Sequence, residues 1–322
     1  MILSKQKITL SVIAVLSLSA CDNKPPTVAN KNNTDDLNKY IQQIKSELVF
    51  VKGGEFLMED YGEEYGPENL PYDSNKNSKP LHKVELSGFS ISIFKTDNEL
   101  YRKYLYFIDS PGRSVPSESG LKNFWDETNL IAKTPAHVDW YEADKYCNWL
   151  AKVTKLPFSL PTEAQWEYAA RNRGIYVIAP TNDGTIRADE GSKSNVASES
   201  DSEAYAKKMG TSLGNLSPLP GDLYPPNPLG IYDMAGNGYE WMKDWYDPDY
   251  YKSSPVKDPQ GPEIASFKDY KGNFTKVLRS QDFSGPGRGL TVVRHFKDPN
   301  NNGRIPADKT VRCVVNSSEP VK

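Results

Sequence analysis

The 322-residue chain carries almost no charge excess: 39 Lys plus Arg stand against 42 Asp plus Glu, a formal charge of −3. Without a basic surplus there is no counterion-releasing surface for a polyanion, which argues against nucleic acid as a partner. Removal of residues 1–20 with Lys5 and Lys7 would take the charge to −5, further in the same direction. Long apolar runs are also missing. The longest, Ile8 to Leu18, has 11 residues, about half of the ~20 that a helix needs to cross a bilayer. Cysteine is scarce, with only Cys21, Cys147 and Cys313, and so is histidine, with only His82, His137 and His295. No G-x-S-x-G nucleophile motif occurs, and no internal repeat is visible.

What the chain does contain is 24 Pro, 22 Gly and 19 Tyr, the texture of a fold rich in ordered loops and tied together by aromatic rings. At 37% hydrophobic and 25% charged residues, one domain of about 250 residues or two small ones would fit. The amino terminus reads separately. A basic segment (Met1 to Lys7) and the short apolar run lead into Leu18-Ser19-Ala20-Cys21, which resembles the lipobox of bacterial lipoproteins. Residues 1–20 are then expected to be a cleaved signal peptide and Cys21 the acylated first residue, since two or three acyl chains anchor stably without a protein span. The alternative is an ordinary secretory signal that happens to end at a cysteine. The lipobox reading places the chain in the bacterial cell envelope, lipid-anchored and facing the periplasm, with the choice of inner or outer membrane open and Asp22 leaning toward inner-membrane retention. Residues 21–33, polar with Pro25-Pro26, are expected to be a flexible tether, and a single domain is expected over 34–322, with its core at 48–317.

Within that body, Leu37, Ile41, Ile44 and Leu48 lie at helical spacing. Leu48 to Val51 and Phe56 to Met58 read as strands about Gly53-Gly54, and Val84 to Leu86 and Phe89 to Ile93 as a second pair. Thr96 and Glu99, Asp139 and Glu142, and Thr162 and Gln165 have capping-box spacing ahead of helices. Tyr61 to Pro80 reads as a polar loop. Gly174 to Leu223 lacks periodicity, and a loop that long needs a ligand, metal or partner to justify it. Further strands are expected at Lys276 to Leu278, Thr291 to Arg294 and Thr310 to Val315.

Four blocks carry a family resemblance. They are Phe50 to Met58 (FVKGGEFLM), Trp140 to Leu150 with Leu160 to Arg171 (LPTEAQWEYAAR), Asn227 to Trp241 (NPLGIYDMAGNGYEW), and Val311 to Val315 (VRCVV). In this order they resemble the formylglycine-generating enzyme, or sulfatase-modifying factor, family. The resemblance implies an α+β fold related to C-type-lectin-like domains, low in regular secondary structure and heavy in ordered loops. It further implies a structural calcium held by Asp233, the carbonyls of Gly236 and Gly238, and Glu240. That chemistry is sound for a hard cation; the alternative is that Asp233 caps a turn and Glu240 pairs with an arginine. A second calcium position in the family finds no recognisable ligands between Ser192 and Gly221. Cys147 and Cys313 match a pair that is disulfide-bonded in the family; the alternative is two buried free thiols.

The family's oxidase uses copper(I) on two cysteine thiolates, and a soft cuprous ion needs such ligands. Aligning Val277 to Phe283 on that segment puts Gly285 and Leu290 at the cysteine positions, with Ser280, Gln281 and Asp282 replacing the preceding Gly-Gly-Ser. Copper is therefore not expected. A related branch, the ergothioneine-type sulfoxide synthases, needs H-x-x-x-H-x-E, which His82, His137 and His295 do not supply. What remains is a membrane-tethered, non-catalytic domain that binds a protein partner. Its candidate surfaces are Tyr61 to Lys79, Gly174 to Gly221, and Asp282 to Gly289 with Arg288. By family analogy such lipoproteins serve as immunity or accessory partners of secreted toxins, often beside type VI secretion genes, as regulators of secretion or as parts of gliding machinery, with the first favoured by the small tethered domain; the rival reading is a formylglycine-generating oxidase or another oxidoreductase of the same superfamily.

Overall fold

The computed structural model describes residues 31–110, 112, 119–283, 287, 289–300 and 308–322. The expected signal peptide, Cys21, Asp22 and the tether up to residue 30 lie outside these residues, as do Gly285 and Arg288. Helix α1 (Lys31–Ser46) begins within the expected tether and buries Tyr40 and Ile44, four residues apart on one face.

Strand β1 (Leu48–Val51) leads through the glycine turn to β2 (Gly54–Met58). The polar segment that follows holds one short helix, α2 (Gly62–Tyr65), before β3 (His82–Leu86) and β4 (Phe89–Ser92). Helices α3 (Asn98–Phe107), α4 (Ser119–Leu130) and α5 (Trp140–Thr154) come next. After β5 (Phe158–Ser159) and α6 (Glu163–Ala170), α7 (Glu199–Met209) interrupts the long polar stretch. The remainder is β6 (Tyr239–Trp245), β7 (Lys276–Arg279), β8 (His295–Lys297), β9 (Lys309–Thr310) and β10 (Val314–Val315).

Three small sheets result: β1-β4-β10-β5, antiparallel throughout; the β2-β3 hairpin; and β8-β7-β6-β9, in which only β6 and β9 run parallel. This is an α+β fold. Two apolar clusters hold the layers together. One gathers Phe56, Val84, Trp166, Met234, Met242 and Val277 around α6, the β2-β3 hairpin and the third sheet. The other gathers Tyr40, Tyr101, Tyr104, Tyr146 and Trp241 around α1, α3 and α5. Tyrosine is abundant because it does both jobs here: the Tyr101, Tyr104 and Tyr146 rings pack with centroids 5.0–5.5 Å apart, while the Tyr40 and Tyr146 hydroxyls hydrogen-bond at 2.9 Å. A buried phenol needs such a partner.

The capping boxes at Asp139/Glu142 and Thr162/Gln165 are both formed. Four expectations differ from the structure, one of them the strand expected at Thr310 to Val315, which is interrupted at 311–313 and split between β9 in the third sheet and β10 in the first. Helix α3 is capped by Asp97, whose side chain accepts from the Leu100 N–H at 2.7 Å; Thr96 is engaged in pairing through its own backbone with Val311 and Ala136, and Glu99 turns outward to Lys103 and Lys133. Helix α7 was hidden because only Ser202 and Ala206 are buried along it, too narrow a stripe for a periodic signal. Its Ser198/Asp201 capping box and left-handed Gly210 at the end were the readable marks. Finally, the strand expected at Thr291 to Arg294 starts only at His295; the Thr291 N–H bonds instead to the Ile178 carbonyl, outside any strand, and Arg294 Nη2 donates to Glu163 at 2.7 Å.

Candidate functional site

The Asn227 to Trp241 block is a turn built on its own side chains. Asn227 Oδ1 accepts from the Leu229 and Ile231 N–H groups at 3.0 Å each, and its Nδ2 donates to the Ala169 carbonyl at the end of α6. Asp233, Asn237 and Gly238 all have positive φ (60°, 58° and 101°), which only a tightly held loop sustains in the first two. The turn curls its carbonyls inward and delivers Glu240 onto β6.

The structure brings Asp233, the Gly236 carbonyl and Glu240 together, and what they surround is Lys95. This side chain enters from the segment between β4 and α3 and is 1% exposed. Its Nζ donates to the carbonyl oxygens of Asp233 and Gly236 and lies 3.7 Å from both Asp233 Oδ2 and Glu240 Oε1. Glu240 is fully buried and doubly engaged: Oε2 accepts from Trp166 Nε1 (3.0 Å) and Arg312 Nε (2.8 Å), and Oε1 accepts from Arg312 Nη2 (3.0 Å). Burial alone would raise Glu240, but the Arg312 and Lys95 charges outweigh it and hold the carboxyl below its ordinary value. Asp233, with the weaker pairing, is pushed up to about 6 by burial despite Lys95. Of the two alternatives to calcium, the pairing of Glu240 with an arginine is present, whereas the Asp233 carboxylate accepts from the Asn237 side chain and faces Lys95. Lys95 was missed in the sequence because nothing local marks it; its partners lie about 140 residues away.

Ser280 Oγ donates to the Gly236 carbonyl of this turn at 3.3 Å, from the segment that the resemblance aligns with the oxidase's copper loop. It follows β7, whose Arg279 is fully buried, with Nη1 donating to Glu163 at 3.0 Å and Nη2 to Glu167 at 2.9 Å and to the Thr291 carbonyl. Arg294 also holds Glu163, and Arg171 donates to Glu167 Oε1 at 2.7 Å. Glu59 completes the cluster. Its N–H donates to Glu167 at 2.8 Å, and burial, with the Glu167 charge beside it, raises its own carboxyl well above the ordinary range. The cluster is a floor, since three arginines and two well-paired glutamates clamp α6 to β7 and β8.

Above it, the rewritten segment leans on the turn. Gly238 N–H donates to the Gln281 carbonyl at 3.0 Å and Gly289 N–H to the Ala235 carbonyl at 2.6 Å. Leu290 is partly buried and supplies no metal donor. Cys147 and Cys313, which lie in the second apolar cluster, form a disulfide. The histidines stand apart: His137 Nδ1 accepts from the Lys309 N–H, His82 stacks on Tyr251, and His295 meets the Tyr239 ring. Among the described residues, no group of three or more His, Cys, Asp or Glu side chains is arranged to hold a metal ion.

The second candidate surface segment touches each of the other two. Tyr65 and Tyr176 stack at 4.7 Å with an 11° interplanar angle, joining the first segment to the second, and both are half exposed (50% and 43%). Gly287 joins the third to the second: a Cβ there would fall 2.6 Å from Ala197 O and Val196 Cγ2. Arg171 fixes the aromatic corner from below, with its guanidinium 4.8 Å from the Tyr61 ring centroid and 5.5 Å from that of Tyr176.

Comparison with known proteins agrees with this architecture. The chain is similar to the serine/threonine-protein kinase pkn1 of Chlamydia pneumoniae, 28% identical over 315 residues that make up 94% of this chain and 43% of that protein. It spans less than half the length of that relative. It is also similar to the formylglycine-generating enzyme of Streptomyces coelicolor, 28% identical over 266 residues, 70% of this chain and 77% of the enzyme. Among solved structures, PvdO from Pseudomonas aeruginosa shares the fold at a TM-score of 0.56 and 22% identity, over 84% of this chain and 94% of PvdO. The model of the sulfatase-modifying factor enzyme 1-like domain matches residues 34–317, and the chain belongs to that family.

Proposed function

We propose that this chain is a non-catalytic, lipid-anchored member of the family that binds a protein partner at the bacterial envelope. The observation that carries the reading is the allocation of its cysteines. Cys147 and Cys313 are consumed by a disulfide, the positions aligned with the copper thiolates are Gly285 and Leu290, and the remaining thiol, Cys21, stands in the lipobox-like sequence. No thiolate pair is left for cuprous copper, and oxygen or nitrogen donors do not replace it readily. Binding then falls to the loops, as is common where a rigid scaffold presents irregular segments. The stacked, half-exposed Tyr65 and Tyr176 support a continuous face over the first two segments. A role as immunity or accessory partner of a secreted effector suits a tethered domain of this size.

Two measurements test the reading. A peptide containing C-x-P-x-R, incubated with the protein, copper and oxygen, is expected to keep its thiol; conversion to the aldehyde, seen by mass, would establish the oxidase instead. Metabolic labelling with a fatty-acid analogue is expected to mark Cys21 and not Cys21→Ser, and an unlabelled wild type would remove the anchor.

A further inference from the structure

We infer that the ammonium of Lys95 takes the place of the calcium ion implied at Asp233, Gly236, Gly238 and Glu240, so that this domain closes its central turn with an internal cation. Three observations carry it. The first is occupancy. Nζ is bonded to the carbonyls of Asp233 and Gly236 and sits equidistant, at 3.7 Å, from the two carboxylates. The Gly236 carbonyl and the two carboxylates are three of the four implied ligands, and a calcium ion needs six to eight oxygens at roughly 2.3–2.6 Å.

Charge balance is the second. Lys95 and Arg312 face Asp233 and Glu240, two cations against two anions, in a pocket where the Lys95 and Glu240 side chains are 1% and 0% exposed. Adding a divalent ion would leave two uncompensated positive charges in a buried site, where desolvation makes unpaired charge costly. Valence geometry is the third. An ammonium offers three N–H donors and no acceptor, enough for the two carbonyls with one proton left toward the carboxylates. Glu240 meanwhile satisfies both its oxygens on Trp166 and Arg312. A four-carbon side chain supplied by the β4–α3 segment thus replaces a diffusible ion, and it ties that segment to the turn 138 and 141 residues downstream.

The test compares the full-length chain in detergent with Lys95→Ser and Asp233→Asn, after dialysis against calcium buffer and against a calcium chelator. Bound calcium is counted by plasma mass spectrometry, and thermal midpoints are recorded in both buffers. The wild type is expected to keep one midpoint in the two buffers. Lys95→Ser is expected to melt lower in chelator, to hold one more calcium per chain than the wild type, and to regain stability with it. Refolding of Lys95→Ser only when calcium is present counts equally in favour. Wild-type calcium that Asp233→Asn abolishes would overturn the inference, as would a folded Lys95→Ser that takes up none. Should Lys95→Ser fail to fold in either buffer, the wild-type and Asp233→Asn calcium counts decide.

Discussion

Cys147 on α5 and Cys313 just before β10 are joined with their Cα atoms 5.8 Å apart across 166 residues of sequence. The bond fastens the helical layer to β10, an inner strand of the first sheet, within the tyrosine-rich cluster. A loop of that length restricts the unfolded chain by roughly 5 kcal/mol in the chain-entropy model, an upper figure because denatured-state structure reduces it. Cys147→Ala and Cys313→Ala should therefore each lower the urea midpoint, and the double substitution by no more than either alone, since one bond is lost in all three. Equal midpoints for wild type with and without reductant would contradict this.

How much of this was readable in the sequence depends on the range of each interaction. Elements whose signals are local were legible: the Asp139/Glu142 and Thr162/Gln165 boxes, the strands about Gly53-Gly54, and the block from Asn227 to Trp241 that carries the family resemblance. Position-specific contacts between distant segments were not. Lys95 reads as a loop lysine until Asp233 and Glu240 are brought to it; Arg279 reads as part of the segment aligned with the oxidase loop, and Arg294 as a strand residue, until α6 presents Glu163 and Glu167. Even α7, with a proper cap at each end, was lost because burial of two small residues leaves no amphipathic pattern.

The cap of α3 gives a small, sharp test of where local reading failed. Asp97 accepts the Leu100 N–H at 2.7 Å, so Asp97→Ala should cost about 1 kcal/mol, while Asp97→Asn, an equally good cap, should cost little. The ion pair that Asp97 also makes with Lys133 at 3.3 Å is more than half exposed on the lysine side and contributes little by comparison. Denaturant titrations of the two variants separate these roles, because a dominant ion pair would make Asn as harmful as Ala.

Asp244 on β6 should make stability fall as pH rises. Burial and the neighbouring Glu163 charge push its carboxyl up to about 7 in the folded protein, against about 3.9 in an unfolded chain. Between those values the folded state holds a proton that the unfolded state has lost. The contribution is full below about pH 4 and is lost as pH rises to about 7. At 1.36 kcal/mol per pH unit the window amounts to roughly 4 kcal/mol as an upper bound. Asp244→Asn keeps an oxygen to accept the Glu163 N–H, which Asp244 Oδ2 now does at 3.0 Å, and cannot ionise. Its stability relative to wild type should therefore improve steadily from pH 4 to pH 7.5, and a difference that is flat across that range would count against the shift.

The exposed Tyr65–Tyr176 stack separates a binding role from a folding one. Tyr61, beneath it, is buried against Arg171 and belongs to the scaffold, so Tyr61→Ala should lower thermal stability as a truncated core aromatic does, by about 3 kcal/mol or more. Tyr65 and Tyr176 keep close to half their surface in solvent, and replacing either by Ala removes one exposed ring pair worth about 1 kcal/mol. If the three loop segments form the proposed partner face, aromatic anchors of this kind carry a disproportionate share of the affinity, 2 kcal/mol or more each by general experience with interfaces. Tyr176→Ala should then weaken a purified complex by about 30-fold or more while shifting the melting temperature only slightly. The complex is obtained by crosslinking on intact cells and identified against the products of neighbouring genes. Unchanged affinity in both Tyr65→Ala and Tyr176→Ala would move the binding surface off this corner, and a parallel loss of affinity and stability would assign the stack to the fold instead.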